Sequence, residues 1–197
     1  MTMGKQVKSK QRVSEHGEVF TAEREVKAMC DLVADECLRI DSRFLEPACG
    51  EGNFLLEILS RKLSTVELMF PQHDSEYQRN SLIAVSSIYG IDILLDNVEI
   101  CREKLFSLWN KDSFSEDLRK SARKILELNI ICGDTLKYID NSGNDITFSE
   151  WLFFDDKIRV QRNDYDFRTL VEDDSMFRYD PKRIYKPVEY WRIHENV

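Results

Sequence analysis

The stretch that decides the fold is FLEPACGEGNFLLEIL, residues 44–59. It starts as a short apolar strand, passes a carboxylate at Glu46, turns through Gly50 and Gly52, and continues with the apolar spacing of a helix. Glycine favours such a turn because it adopts left-handed backbone conformations at little cost. A glycine turn between a strand and a helix is typical of cofactor sites, but it also occurs as a plain tight turn. The turn by itself therefore leaves its purpose open.

Up to residue 140 the chain alternates predicted helices and short strands. Thr21 is placed to cap a first helix, whose apolar residues recur at helical spacing from Val26 to Val33. Short apolar runs predict strands at 43–45, 89–93 and 129–134, with two helical segments between successive strands. This order indicates an α/β fold with a parallel sheet and helices on both faces.

Composition limits the classes of function. The 197 residues carry a formal net charge of −8 and include five cysteines, none of them in a Cys-x-x-Cys pair. An acidic chain lacks the clustered basic residues that a large DNA-binding face requires. The sequence shows no secretory signal, no apolar run of the roughly 20 residues that span a bilayer, and no metal-ligating pattern. We therefore expect a cytoplasmic protein with reduced thiols.

Three regions are predicted along the chain. Residues 1–13 form a basic arm, which either frays in solvent or contacts phosphates or a partner. Its basic residues are Lys5, Lys8, Lys10 and Arg12. Residues 14–140 hold the alternating helices and strands. Within 141–197 the pattern predicts a hairpin of residues 146–151 and 157–162, followed by an irregular extension. We expect this region to dock on a partner, with a tail folded back on its own domain as the alternative.

Carboxylates stand at the ends of all three predicted strands: Glu46, Asp92 and Asp134. Ligands of parallel sheets bind beyond the carboxyl ends of the strands. A diphosphate would be repelled by Glu46, and Leu55 occupies the third glycine position of the dinucleotide motif. S-adenosylmethionine suits the acids better, because it offers an ammonium, a ribose diol and an adenine amine in turn. Ile93 is placed to pack on the adenine face.

Four stretches resemble motifs of the amino-methyltransferases that modify adenine N6 in DNA. LEPACGEGNFL (residues 45–55) resembles their first motif, D-P-A-C-G-S-G-N-F-L, with Glu46 for Asp and Glu51 for Ser. HGEVFTAE (16–23) resembles the upstream motif G-x-x-[YF]-T-P of the gamma-order enzymes, with Ala22 for Pro. YGIDI (89–93) and IICGDTL (130–136) resemble the ribose and adenine motifs of the second and third strands. The resemblance covers roughly residues 5–137 and is strongest to adenine methylases of restriction–modification systems.

The resemblance implies a partial Rossmann-like methyltransferase fold that binds S-adenosylmethionine. In that family the upstream motif touches the methionine end of the cofactor, a role that would fall to Phe20 and Thr21. The complete set of implied cofactor-binding residues is Phe20, Thr21, Glu46, Ala48, Gly50, Gly52, Asn53, Phe54, Asp92, Ile93, Asp134 and Thr135.

The catalytic motif of these enzymes, Asn/Asp-Pro-Pro-Tyr/Phe, is missing. The chain has four prolines, no two of them adjacent, so no catalytic residue is identified. The leading hypothesis is the cofactor-binding subunit or fragment of a split DNA adenine-N6 methyltransferase. A second chain would supply the catalytic motif, target recognition and the contact with DNA, and would cover an open sheet edge after the third strand. The alternatives are a non-catalytic cofactor-binding remnant, regulator or scaffold, and a methyltransferase for a small molecule, RNA or protein.

Overall fold

The computed structural model describes residues 21–71, 74–172 and 180–195. The α-helices are α1 (Glu23–Asp31), α2 (Ala34–Leu38), α3 (Asn53–Met69), α4 (Ser75–Ser86), α5 (Leu95–Trp109), α6 (Glu116–Asn129) and α7 (Phe167–Glu172). The strands are β1 (Phe44–Glu46), β2 (Ile88–Asp92), β3 (Ile130–Asp134), β4 (Ile139–Asp140), β5 (Thr147–Phe153), β6 (Arg159–Asp166), β7 (Arg183–Ile184) and β8 (Val188–Glu189). A 3₁₀ helix, Tyr190–Glu195, follows β8. The predicted basic arm and Phe20 lie outside the described residues.

The fold is α/β, with parallel and antiparallel strands. Strands β1, β2 and β3 run parallel in that spatial order, and β4 pairs antiparallel with β3. The predicted alternation of helices and strands from residue 21 to residue 134 is confirmed, except that the short helix α2 was not anticipated. In a second sheet, β5, β6 and β7 pair antiparallel, and β8 pairs with the other end of β6.

Thr21 does not cap the first helix. Ala22 occupies the N-cap position of α1 with extended backbone angles, and no side chain caps this helix. Asp74 and Ser115, by contrast, cap α4 and α6 by accepting hydrogen bonds from the amides of Glu76 and Leu118. Thr21 lies one residue too early in the chain for the capping role that the sequence suggested.

The helices of both crossovers pack on one face of the β1–β3 sheet. Strand residues Ile88 and Ile130 share this core with apolar residues of four helices: Leu55 and Leu59 of α3, Leu82 and Val85 of α4, Val98 and Leu105 of α5, and Leu118 and Ile125 of α6. Both connections step in the same direction, from β1 to β2 to β3. Connections of one hand place their helices on the same side of a sheet.

The opposite face carries the hairpin of β5 and β6 instead of the expected layer of helices. Tyr89 and Ile91 of β2 pack there against Ile146, Phe148 and Phe167. The ring of Phe148 makes edge-to-face contacts with the rings of Tyr89 and Phe167. Tyr89 also donates its hydroxyl proton to the carbonyl oxygen of Ser149, at 2.9 Å. In the described part of the chain, the expected layer of helices on this face is thus replaced by a hairpin and the six-residue helix α7, which begins at Phe167. A hairpin covers this face because its alternating residues supply an apolar side.

The described residues after position 140 pack against the same core. The predicted hairpin is confirmed, with Phe148 paired to Tyr165 and Trp151 to Arg162. Trp151, Val160, Tyr190 and Ile193 join the main core, and His194 contacts Ser121 of α6. After the hairpin, the described residues form short elements that fold back on their own domain, which is the alternative stated with the docking hypothesis. Strands of two residues are too short to leave a periodic signal.

Among the described residues, no strand pairs with the outer edge of β1. Strand β4 pairs with the last two residues of β3, through Gly133–Asp140 and Asp134–Ile139, so the open edge expected after the third strand is partly covered. On the outer side of β1 the described residues contribute no strand.

Among the described residues, no helix combines the length and the apolar character that crossing a bilayer requires.

Candidate cofactor site

The glycine turn connects β1 to α3 and is packed closely against α5. Gly50 and Gly52 have φ angles of 52° and 87°, in the left-handed region that favours glycine. The amide of Gly52 donates to the carbonyl oxygen of Cys49 at 2.8 Å. A Cβ atom on Gly52 would lie 2.6 Å from Sγ of Cys101 in α5. Gly52 is thus required by its backbone conformation and by the space available.

Gly90, which the sequence argument did not single out, holds the turn against β2. A Cβ atom there would lie 3.0 Å from Cys49 Sγ and 2.9 Å from Leu55 Cδ1. The Cys49 amide donates to the carbonyl oxygen of Ile91 at 2.8 Å. Hydrogen bonding with Cys101 and burial raise the pKa of the Cys49 thiol, so it stays protonated and packs as an apolar group. A glycine inside the strand motif YGIDI was the available signal for this close approach.

Asp92 ties the glycine turn to the end of β2. Its Oδ2 accepts a hydrogen bond from the Gly50 amide at 2.9 Å. Its Oδ1 accepts from the Leu94 amide at 2.9 Å and from Nδ2 of the buried Asn97 at 3.2 Å. A carboxylate offers about four acceptor positions, and three are used here. One acceptor position, on Oδ2, therefore remains for a ligand. The sequence had led us to expect that Asp92 would offer two acceptors to a ribose diol.

Glu46 stands beside the start of α3, half-buried at the end of β1. Its Oε1 accepts from the Ala48 amide at 3.3 Å. Glu46 and Phe54 line a small cavity of about 190 Å³ between β1, α1 and α3. Nδ2 of Asn53 lies 3.5 Å from the carbonyl oxygen of Thr21 and brings the segment before α1 to the same place. Four predicted residues, Thr21, Glu46, Asn53 and Phe54, are thereby brought together.

The carboxylate of Asp134 accepts hydrogen bonds within the turn that follows β3. It accepts from the amides of Leu136 and Lys137, at 3.0 and 3.2 Å, and pairs with the Lys137 ammonium at 2.8 Å. The hydrogen bond from Lys137 lowers the pKa of Asp134 and keeps it ionised. Thr135 donates to the carbonyl oxygen of Pro47 at 2.7 Å, which joins the end of β3 to the loop after β1. The structure thus brings Thr135 to the turn but engages the carboxylate of Asp134 elsewhere.

Apolar side chains lie exposed near the carboxyl ends of β2 and β3. Ile93 is 55% exposed, and Leu95 and Leu136 are also exposed. Such residues offer a surface for a planar ring.

Glu51, which departs from the family motif, forms an ion pair with Lys104 of α5 at 2.6 Å. This pair connects the outer side of the glycine turn to α5.

Sequence reasoning missed a cleft of about 670 Å³ on the hairpin side of the sheet. It lies between β1, the hairpin and α7, and is lined by Leu45, Tyr89, Phe148, Asn163, Leu170 and their neighbours. None of the predicted cofactor-binding residues lines it.

The chain matched no family model, no curated protein and no solved structure.

Proposed function

We propose that the chain binds S-adenosylmethionine at the carboxyl edge of its parallel strands and is the cofactor-binding part of a split DNA adenine-N6 methyltransferase. The observation that carries the proposal is the hydrogen bond from Gly50 to Asp92. It fixes a left-handed glycine turn against an acid at the end of the neighbouring strand, 42 residues further along the chain. Glu46, which accepts one amide hydrogen bond at 3.3 Å, stands next to that turn.

The residues present fit the cofactor. Glu46 would receive the ammonium, and the backbone of the Gly50–Gly52 turn would lie along the methionine part. The remaining acceptor position of Asp92 would hold one ribose hydroxyl, and exposed Ile93 would cover one adenine face. When bound, the cofactor supplies an electrophilic methyl group. The residues of this chain bind it and orient it.

The fold supports the same proposal. Parallel order β1, β2, β3, a glycine turn after β1, and acids at the ends of β1 and β2 suit a Rossmann-like methyltransferase sheet. DNA as the substrate class rests on the resemblance of residues 16–23, 45–55, 89–93 and 130–136 to adenine methylases. The 197 residues lack Asn-Pro-Pro-Tyr, so the proposal assigns the group that accepts from the adenine amine to a second chain.

A second candidate is a cofactor-binding scaffold without catalysis. It is favoured by the hydrogen bonds that the carboxylates of Asp92 and Asp134 already accept from nearby backbone amides, since these leave fewer acceptor positions for a ligand.

Methyl transfer separates the two candidates. The chain is purified free of host methylases and incubated with labelled S-adenosylmethionine and unmethylated DNA, alone and with the product of an adjacent gene that carries Asn-Pro-Pro-Tyr. We expect transfer to adenine only in the mixture, because orientation of the attacking amine contributes several kcal/mol. Efficient transfer by the lone chain would contradict a split enzyme. Cofactor binding without transfer in the mixture would support the scaffold.

A further inference from the structure

The outer edge of β1 is prepared for hydrogen bonding with another strand. In a parallel pair, alternate residues direct their backbone groups to the neighbouring strand. Phe44 faces β2, since its amide donates to the carbonyl oxygen of Ser87 at 3.0 Å. The amide and carbonyl groups of Leu45 therefore point away from β2, to the side where the described residues contribute no strand.

Apolar surface flanks this edge on both faces of the sheet. On the hairpin side, the 670 Å³ cleft is bordered by the exposed side chains of Leu45, Leu152, Leu170 and Val171. On the helix side, the 190 Å³ cavity is bordered by the exposed side chains of Met29 and Val33. A strand that paired with β1 would place alternate side chains into the cleft on the hairpin side and against Met29 and Val33 on the helix side, whereas Glu46 and Phe54, which line the same 190 Å³ cavity, belong to the proposed cofactor site.

The cleft also contains an unused acceptor. Asn163 of β6 is only 7% exposed and lines the cleft, and its Oδ1 has no hydrogen-bond partner in the part of the chain that the structure describes. The neighbouring polar groups are occupied: Glu150 pairs with Arg43 at 2.7 Å and accepts from Tyr165 at 3.0 Å. A buried acceptor without a partner is costly, so a donor from outside would be favourable here.

We propose that the β1 edge, with these two cavities, binds an extended segment of the second chain, which pairs with Leu45 and donates a hydrogen bond to Asn163. This identity of the partner rests on the proposed function. The charges agree, because this chain carries −8 and a partner that contacts DNA phosphates is basic. A second copy fits worse, since a twofold axis at β1 would set cavity against cavity and leave both unfilled.

Leu45→Pro tests the strand pairing. Proline lacks only the amide that points outward, a position that edge strands tolerate, so the free chain should keep its urea midpoint and its cofactor affinity. Calorimetry with the purified adjacent-gene product should show binding at least tenfold weaker than for the unchanged chain. Leu45→Val, which keeps the amide, is the matched control and should bind within about threefold of the unchanged chain.

Asn163→Leu tests the unused acceptor. The stability of its free chain should change little, because removal of the unpaired oxygen offsets the loss of the side-chain hydrogen bond to Tyr165. Affinity for the adjacent-gene product should fall about tenfold, as for one lost hydrogen bond. Leu68→Asp, at an apolar residue of α3 that is 89% exposed and lines neither cavity, should change neither quantity.

Three results would overturn the interface: no binding of the adjacent-gene product, equal binding by Leu45→Pro, or self-association of the lone chain that Leu45→Pro abolishes. Cofactor binding is measured separately on each variant. A chain that binds the partner through Leu45 but not S-adenosylmethionine would refute the proposed function and keep the interface.

Discussion

At the scale of single residues, Asp92 shows how a predicted ligand can also be a structural part. Its carboxylate satisfies the amides of Gly50 and Leu94 and the side chain of Asn97. Asp92→Ala would leave these donors without a partner, so we expect a loss of about 2–3 kcal/mol in unfolding free energy, together with weaker cofactor binding.

Urea unfolding of Asp92→Ala checks this expectation against Asp156→Ala. Asp156 also accepts from two backbone amides, of Ile158 and Arg159, but in an exposed hairpin turn where water replaces the lost acceptor. We expect Asp156→Ala to lower the unfolding free energy clearly less than Asp92→Ala does. Equal losses would show that the hydrogen bonds of Asp92 contribute nothing beyond those of a surface turn.

Lys62 gives a prediction on pH. Its side chain is fully buried and donates to the carbonyl oxygens of Ile40 and Ser42 and to Oγ of Ser87. Burial lowers the pKa of Lys62 to about 8. The unfolded chain then holds more protons than the folded chain between about pH 8 and the ordinary lysine pKa of about 10.4. Stability contributed by this group therefore rises with pH across that window and is lost as the pH falls through 8.

The measurement compares unfolding free energies of the unchanged chain and of Lys62→Met from pH 7 to pH 10. Subtracting the variant removes the titration of thiols and other groups that both chains share. We expect the difference to move in favour of the unchanged chain as the pH rises above 8. A difference that stays constant, or moves the other way, would mean that the ammonium is not penalised by burial.

Several residues of the candidate site were predictable from the sequence because each has a local signature. Gly50 and Gly52 mark a turn, and Glu46 and Asp92 follow apolar strands. The partners of these residues were not predictable, since Gly50 meets Asp92, and Gly52 meets Cys101, only through tertiary packing. The local partners of Asp134 were not predicted either, because an acid after a strand can accept hydrogen bonds within its own turn as readily as from a ligand. Its role in cofactor binding stays a prediction.

At the scale of elements, the hairpin depends on a buried ion pair. Arg162 donates to both carboxylate oxygens of Asp164, at 2.7 and 2.8 Å, inside the second sheet. Ser149 and Tyr185 donate to the same carboxylate, which links β5, β6 and the segment after β7. Removing one partner would leave the other charge buried without compensation.

We expect Asp164→Ala to lower the unfolding free energy by about 3–5 kcal/mol. The double variant Arg162→Met with Asp164→Leu should recover part of that loss, because it leaves no unpaired charge, while Ser149 and Tyr185 still lose their acceptor. Calorimetric unfolding of the unchanged chain and of the two variants is the measurement. A single variant as stable as the unchanged chain would show that water already solvates this pair.

Secondary-structure elements with a strong apolar period were predicted from the sequence, and the shortest elements were not. The hairpin was predicted over 146–151 and 157–162, and the structure places its strands at Thr147–Phe153 and Arg159–Asp166. Strands β7 and β8 have two residues each, and the 3₁₀ helix has six, so neither period can emerge. Which face of the sheet the hairpin covers is decided by packing of Phe148 on Tyr89, a contact between segments far apart in the chain.

At the scale of the whole molecule, the sequence correctly predicts an α/β fold with parallel strands but not its asymmetry. The four long helices occupy one face and the hairpin with the short helix α7 the other, and among the described residues β1 is left at the edge. The glycine turn and the open edge belong to the same strand, so the proposed partner would stand beside the proposed cofactor. Under these two proposals, cofactor binding and partner binding would both involve a single strand of three residues.

The central claim is that this chain holds S-adenosylmethionine at the Gly50–Gly52 turn, and isothermal calorimetry on the full chain tests it most directly. We predict binding of S-adenosylmethionine and of its demethylated product below millimolar concentration. Glu46→Gln should weaken only the interaction with the ammonium, by about tenfold. Glu150→Gln, in the cleft on the hairpin side, where none of the predicted cofactor-binding residues lies, should leave affinity unchanged. Absence of binding of both ligands at millimolar concentration, or equal binding by the two variants, would contradict the claim.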